Sequence, residues 1–486
     1  MLRMENFHKP TTRTNPHSFT DLFRREFGFS NPTAFPRRFS ASQVIVKNLN
    51  LYGKLNGHEG CVNAVEFNSS GDMLVSGSDD KQVMLWNWAS KTKLLAYPSG
   101  HLDNIFQTKI MPFTDDSKIV TSAGDGQVRL GLLREDGKVD TTVLGKHRGC
   151  VYKLAVEPGS PHILYSCGED GFIHHYDLRS SSATRLFSCS SLEGNNKHPP
   201  KKIRLNSIVI DSRNPCYFAV GGSDEYARVY DIRTCQWDAS EDSDRPVSTF
   251  CPQHLIESYD VHITALAYSS SSELLVSYND ELIYLFEKNA SFGSTSSSSA
   301  ASEDLKNHQE AQVYSGHRNA QTIKGVNFFG PNDEYVLSGS DCGHIFIWKK
   351  KGAELVRLMV GDQHVVNQLE PHPHIPILAT CGIENNVKIW APLASDIPPL
   401  PVNVKEITEA NRKSREDRSR VTLTPDLIMH VLRLQRRQTL AYVERRYNRA
   451  DNVNSEDAEG SALGLSDGDA SSEEDYGGNS RDCNIS

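Results

Sequence analysis

Short apolar runs recur along the chain, each followed by a turn rich in Gly and Asp and then by a run in which apolar and polar positions alternate. Residues 163 to 179 show the unit and end in Tyr176-Asp177-Leu178-Arg179; residues 217 to 233 repeat it and end in Tyr230-Asp231-Ile232-Arg233. An apolar run, a tight turn and an alternating run predict a strand, a hairpin turn and a second strand. Aligning the last aromatic position gives seven copies, at Trp86, Gly131, Tyr176, Tyr230, Phe286, Trp348 and Trp390. Six positions earlier stands a turn residue: Asp80, Asp125, Asp170, Asp224, Asp280, Cys342 and Glu384. Copies that cannot bury their own apolar faces must pack on one another, so the chain reads as a repeat array.

A histidine opens six of the repeats: His58, His101, His147, His262, His317 and His364. In this arrangement the sequence resembles the WD-repeat family, whose repeats run from Gly-His to Trp-Asp. The resemblance implies an all-β fold, a seven-bladed propeller of four-stranded sheets. It also implies a buried polar relay in each blade, with the turn Asp bonded to the His and a Ser/Thr and the Trp extending the chain of bonds. His58, Asp80, Trp86, His101, Asp125, His147, Asp170, His317, Trp348 and Trp390 are read as this structural relay, not as catalytic groups. Gly131 in place of Trp, the missing His of the fourth repeat and Cys342 in place of Asp are departures within single blades.

The last repeat stops at Trp390-Ala391-Pro392 without an outer strand, and the run Val44 to Leu49 precedes the first Gly-His without an inner partner. That run is expected to close the ring. Strand direction then sorts the surface into two faces. The histidines lie on one, and the ends of the third strands, including Arg179 and Arg233, lie on the other. Both the N-terminal segment and the C-terminal region are expected to leave from the arginine face.

Charge changes the picture only when it is located. The net charge is -9, and from Asp451 onward there are ten acids and one base; residues 401 to 450 carry twelve bases and six acids, and residues 1 to 43 seven bases and three acids. The reading is therefore a basic flank over 1–43, a near-neutral propeller over 44–392, a basic linker and helix over 393–450 and an acidic tail over 451–486. No apolar run reaches the length of a membrane helix and no secretory signal is visible, so no membrane partner is expected. The ten cysteines stand singly, without ligand-like pairs. Scattered thiols fit a reducing compartment; the basic clusters permit entry to the nucleus and the absent signal permits the cytoplasm, so residence in both is expected. The segment 294–302, nearly all Ser, Thr and Ala, is expected to be disordered. Ser18 and Asp21 resemble a capping box for a short helix over about 18–28, with Phe19, Phe23 and Phe27 every fourth residue and Gly28 as the stop. Thr424-Pro425-Asp426 reads as the start of a second helix, running to about Tyr447.

No nucleophile elbow, phosphate loop or paired metal-ligand motif is present, and no cofactor is implied. His174-His175 and His372-x-His374 are the metal-like pairs, and neither has ligand geometry. What needs an account is the arginine repeated at one place in two adjacent blades, since an ordinary repeat ends in Trp-Asp with any residue two positions on. A salt bridge to Asp177 or Asp231 is the plain account, and at a surface it is worth little. The two stretches resemble the signature by which WD-repeat receptors bind the triple-propeller adaptor of the cullin-four RING ubiquitin ligases, with departures at His175 and Ala227. Over about residues 57 to 392 the ring also resembles the type-eight class of cullin-four associated factors, in passages such as Ser338-Gly-Ser-Asp-Cys-Gly-His-Ile-Phe-Ile-Trp348 and Leu369-Glu-Pro-His-Pro-His374.

That resemblance implies a non-catalytic substrate receptor. Its partners would be the adaptor, the damage-specific DNA-binding protein subunit, through it cullin-four, and an unknown protein substrate on the histidine face. Tyr176, Asp177, Arg179, Tyr230, Asp231, Arg233, Phe19, Phe23 and Phe27 would bind the adaptor. The rival from another class is a WD-repeat scaffold of chromatin or trafficking complexes, whose basic flanks would hold nucleic acid or acidic partners. Interleaved acids in those flanks favour a solvated helix over nucleic-acid binding.

Overall fold

The second strand of each repeat is buried along nearly its whole length, as in Met73–Ser78, Lys118–Ala123 and Leu378–Gly382, whereas an outer strand such as Thr92–Pro98 is mostly exposed. Continuous burial of this kind means that both faces of a sheet are covered. In the structure, a computed structural model, they are covered by the neighbouring sheets. It describes residues 23, 25–28, 34–180, 183–190, 202–234, 246–256, 258, 260–287, 311–393 and 398–417. The strands form seven four-stranded antiparallel sheets, numbered here as blades one to seven from Val62–Phe67 onward. Apolar clusters join consecutive blades, as where Ile208, Phe218 and Tyr230 of blade four meet Tyr165 and Phe187 of blade three. The chain divides between Arg415 and Glu416, and the second unit, Glu416–Ser486, lies outside the described residues except for its first two.

Blade seven is completed by the beginning of the chain. Leu49–Asn56 pairs antiparallel with Asn386–Pro392, from Leu49 opposite Pro392 to Asn56 opposite Asn386. Closure therefore takes the expected form with different residues. Val44 to Lys47, expected in the strand, belongs to a short helix, α2 (Gln43–Lys47), preceded by α1 (Ala34–Ser40). The reason is a spacing of three. Val46 and Leu49 are both fully buried in the blade six and seven cluster, and a helical turn puts them on one face where a strand would point them apart.

Three blades keep the Asp–His–hydroxyl chain of the relay. In blade one His58 Nδ1 lies 2.9 Å from Asp80 Oδ2 and Nε2 2.7 Å from Ser76 Oγ, to which Trp86 donates at 2.8 Å. In blade two His101 joins Asp125 and Thr121. Gly131 leaves the Trp site empty, and the Tyr97 ring of the preceding outer strand fills it: a Cβ on Gly131 would stand 2.7 Å from the Tyr97 hydroxyl. In blade three His147 joins Asp170 and Ser166, and Tyr176 substitutes for Trp with its hydroxyl 3.1 Å from Ser166 Oγ. Burial opposes ionisation of Asp170, but hydrogen bonds from His147 and the Arg148 amide outweigh it and hold the acid well below the usual carboxylate range.

The remaining blades solve the same problem with other residues. Val220 and Val276 stand where the relay hydroxyl would be in blades four and five. Blade four uses the buried Arg228, bidentate to Asp224 at 2.9 and 2.5 Å. In blade five Asn319 donates to Thr264, Ser277 and the Tyr278 carbonyl. Blade seven keeps the Trp390 bond to Thr380 at 2.8 Å but pairs Glu384 with Lys388, and His364 is exposed. Blade six departs furthest from the relay predicted for His317 and Trp348. With Cys342 in place of the acid, His317 is fully buried and neither ring nitrogen has a hydrogen-bond partner among the described residues. Trp348 donates to the Ser315 carbonyl instead of a hydroxyl, and the buried ion pair of that blade is Lys324 with Asp341.

Charged side chains also line the innermost strands. Lys109 binds Glu66 at 2.7 Å, and Lys153 of blade three reaches Gln368 of blade seven at 3.0 Å, a bond across the ring between sequence-distant blades. Burial pushes Glu370 up to about 7, and it pulls Lys153 down to about 8.

Two measurements test these assignments. A chain starting at residue 34 is expected to melt as the whole chain does, and one starting at residue 57 to lose the cooperative transition, because only the second lacks the closing strand; equal melting of the two would contradict closure. Burial, with Arg415 and Lys324 nearby, pushes His317 down to about 3, whereas an unfolded histidine titrates near 6.5. The unfolded chain thus binds the extra proton between these values, so stability is complete above pH 6.5 and falls as pH is lowered. Between pH 7 and 5 this group alone removes about 2 kcal/mol. The depressed Asp80, Asp125 and Asp170 act only below about pH 4. In denaturant titrations His317→Leu should flatten the slope between pH 5 and 7; an unchanged slope would show that the ring is not held neutral.

Candidate functional site

Each third strand runs away from the histidine face, so the turn that follows it lies on the opposite face. Blades three and four build these turns identically. Asp177 Oδ1 accepts the Arg179 amide at 3.0 Å and Nε at 2.9 Å, while Oδ2 accepts Nη2 at 2.7 Å. Asp231 Oδ1 accepts the Arg233 amide at 2.9 Å and Nε at 3.0 Å, and Oδ2 accepts Nη2 at 2.6 Å. Both turns close by a backbone bond to the Asp carbonyl, from Ser180 in one and Thr234 in the other, and each hydroxyl adds a second. An Asp side chain bonded to the amide two residues on is a turn device in its own right. Here it also orients a guanidinium.

In the other five blades this position holds Asn87, Leu132, Glu287, Lys349 or Ala391, and none has an arginine two places on except Leu132, whose Arg134 pairs elsewhere with Asp140. Both arginine side chains remain 63% exposed, and Nη1 of each makes no hydrogen bond among the described residues. The arginines hold both acids below the usual carboxylate range. The result is two prearranged planar donors on neighbouring blades. Tyr176 and Tyr230, the aromatic residues before the acids, are buried and anchor the strands rather than the surface.

The flanks divide between faces. On the N-terminal side Arg37 of α1 bonds the Pro331 carbonyl at 3.3 Å and Ala41 accepts from Tyr335, so this segment meets blade six by the arginine-face turn 330–334. Phe23 and Phe27 pair at 4.4 Å between ring centroids and are 50% and 59% exposed, and Gly28 has the left-handed φ of a helix stop. Phe19 lies outside the described residues.

The C-terminal side leaves from the arginine face as expected, where Asn386–Pro392 ends, but does not stay there. A helix, α3 (Val404–Glu416), runs from Leu355 and Ala353, where Val404 and Ile407 pack, to the histidine side, where Asn411 bonds the Gly316 carbonyl at 2.8 Å and Arg415 approaches Glu281. Val404, Ile407, Asn411 and Arg415 recur at helical spacing, which is the signal that could have located this helix. The described part of the C-terminal flank, residues 398–417, thus reaches the histidine side, while the described N-terminal segment lies by the arginine face. The helix expected from Thr424 and the segment 294–302 lie outside the described residues.

The histidine pairs have structural partners. His372 and His374 bond the carbonyls of Gly71 and Ser69 at 2.7 and 2.9 Å, clamping blade seven to blade one. His174 stacks on His147 at 3.9 Å, and His175 lies by Tyr165.

Three stretches, residues 49–87, 138–177 and 308–349, match the family model described as WD domain, G-beta repeat. Among curated proteins, the chain is similar to Protein ALTERED SEED GERMINATION 2 of Arabidopsis thaliana, 37% identical over 288 residues, or 53% of this chain and 38% of that protein. It is similar to DDB1- and CUL4-associated factor 6 of Homo sapiens, 32% identical over 285 residues, or 56% of this chain and 32% of that protein. WD and tetratricopeptide repeats protein 1 of Homo sapiens is 22% identical over a match covering 76% of this chain and 89% of that protein. The chain spans about a third of the length of the first two relatives.

Proposed function

We propose that this chain is a substrate receptor of a cullin-four RING ubiquitin ligase, holding the propeller adaptor on its arginine face and a protein substrate on its histidine face. The observation that carries this reading is the pair of Asp–Arg forks at equivalent positions of blades three and four. A surface salt bridge contributes little to stability, so two copies of one, both with the guanidinium left accessible, gain more from binding than from folding. Each acid already fixes its arginine, and a partner offering carboxylate or carbonyl acceptors would order little that is not ordered beforehand. The likeness to a relative named for association with DDB1 and CUL4 supports the same partner, as does the type-eight resemblance of the ring passages. Phe23 and Phe27, paired and exposed, add an apolar contact to this surface in the proposal.

The mechanism is positional. The receptor makes and breaks no bonds; it keeps substrate lysines beside a charged conjugating enzyme and so raises their effective concentration. Nuclear and cytoplasmic residence belongs to the same proposal.

The test is capture of the purified adaptor by the intact chain and by an Arg179→Ala, Arg233→Ala variant with wild-type melting. The variant is expected to bind at least about tenfold more weakly, in line with loss of charge-assisted bonds at an interface. Equal binding would remove the forks from the account, and no binding by the intact chain would overturn the receptor reading itself.

A further inference from the structure

Folding alone gives no reason for a phenylalanine in a left-handed turn with its ring in water. Residues 111–117, Met-Pro-Phe-Thr-Asp-Asp-Ser, join Ile105–Ile110 to Lys118–Ala123 on the arginine face of blade two. Phe113, Asp115 and Asp116 have φ of 56, 50 and 55°. Such angles suit Gly, Asn and Asp, and a bulky aromatic is an outlier there. Yet Phe113 is 78% exposed, so its ring repays nothing by burial. Backbone strain and exposed apolar surface coincide in one residue, and strain of this kind collects at functional positions.

The turn is held rigidly enough to present that ring. Thr114 Oγ1 donates to the Met111 carbonyl at 2.7 Å, Ser117 Oγ to the Thr114 carbonyl at 2.6 Å, and Asn68 of blade one to Asp116 Oδ2 at 2.7 Å. Met111, fully buried, belongs to the same apolar cluster as Tyr176 and Leu178. Leu178 is the residue between Asp177 and Arg179. One cluster therefore underlies both the Phe113 turn and the blade-three fork, which stand on the same face.

We infer that Phe113 is an apolar anchor for the partner engaged by the two arginines, entering a pocket with apolar walls beside acceptor oxygens. The inference rests on the adaptor reading above and commits to that propeller as the occupant. An aromatic anchor next to oriented arginines is the composition of an interface centre. Exposed Asp115 at the turn places the partner's acceptors toward Arg179, away from its own charge.

The experiment measures the affinity of the purified adaptor for the whole chain, for Phe113→Gly and for Phe113→Asn, both of which suit the left-handed backbone. Each variant is expected to melt at or above the wild-type temperature and to bind at least about tenfold more weakly, the loss typical of an anchor residue. Should the glycine variant fail to fold, the asparagine variant carries the test. Wild-type affinity in the variants, with weakened binding by the arginine double variant, overturns this inference and leaves the receptor reading intact. Loss of self-association in sedimentation with unchanged adaptor affinity assigns the ring to a second copy of the chain and also overturns it. No binding by the wild-type chain overturns both.

Discussion

The pairing of Leu49–Asn56 with Asn386–Pro392 is the constraint on which the other features depend. It joins the two ends of the repeat array in one sheet, so the blade six and seven cluster receives Leu49 and Val46 from the start of the chain. Each sheet then has a neighbour on both faces, which is why the second strands are buried at nearly every position. Closure also fixes direction. Every third strand must end on the face opposite the histidines, and that places Arg179, Arg233 and the Phe113 turn on one side of the ring.

Inside that frame, polar groups decide how each blade is built. A buried carboxylate needs partners because an unpaired one would cost several kcal/mol. Histidine with Ser or Thr supplies them in blades one to three, Arg228 in blade four and Lys324 in blade six. Blade six keeps its histidine without the acid. His317 there acts as an aromatic spacer against Phe346 and Trp348 and stays neutral, while Asn411 of α3 bonds the Gly316 carbonyl and Cys342 beside it.

The blade count and the third-strand arginines were legible in the sequence because both depend on local period and turn chemistry. The substitutions inside the relay were less so. Arg228 replaces a histidine from another strand, and Tyr97 fills the space over Gly131 from the preceding blade, so neither shares the spacing that identifies the repeat. Val220 and Val276 did carry a signal: without a hydroxyl at that place no relay can form. The run from Val44 looked like a strand because alternation over few residues resembles a helical turn until its partner surface is known. Phe113 gave no periodic signal, and its meaning comes from backbone angle and exposure together.

The central claim is that partner binding is organised by the third-strand turns of blades three and four. Hydrogen exchange of the whole chain, free and saturated with the purified propeller adaptor, tests it most directly. The account predicts slowed exchange at residues 178–180 and 232–234 and in the 111–117 turn, with the histidine-face turns at Asp80, Asp125 and Asp170 unchanged. Protection confined to those histidine-face turns would contradict it, because the adaptor would then occupy the surface assigned to substrate.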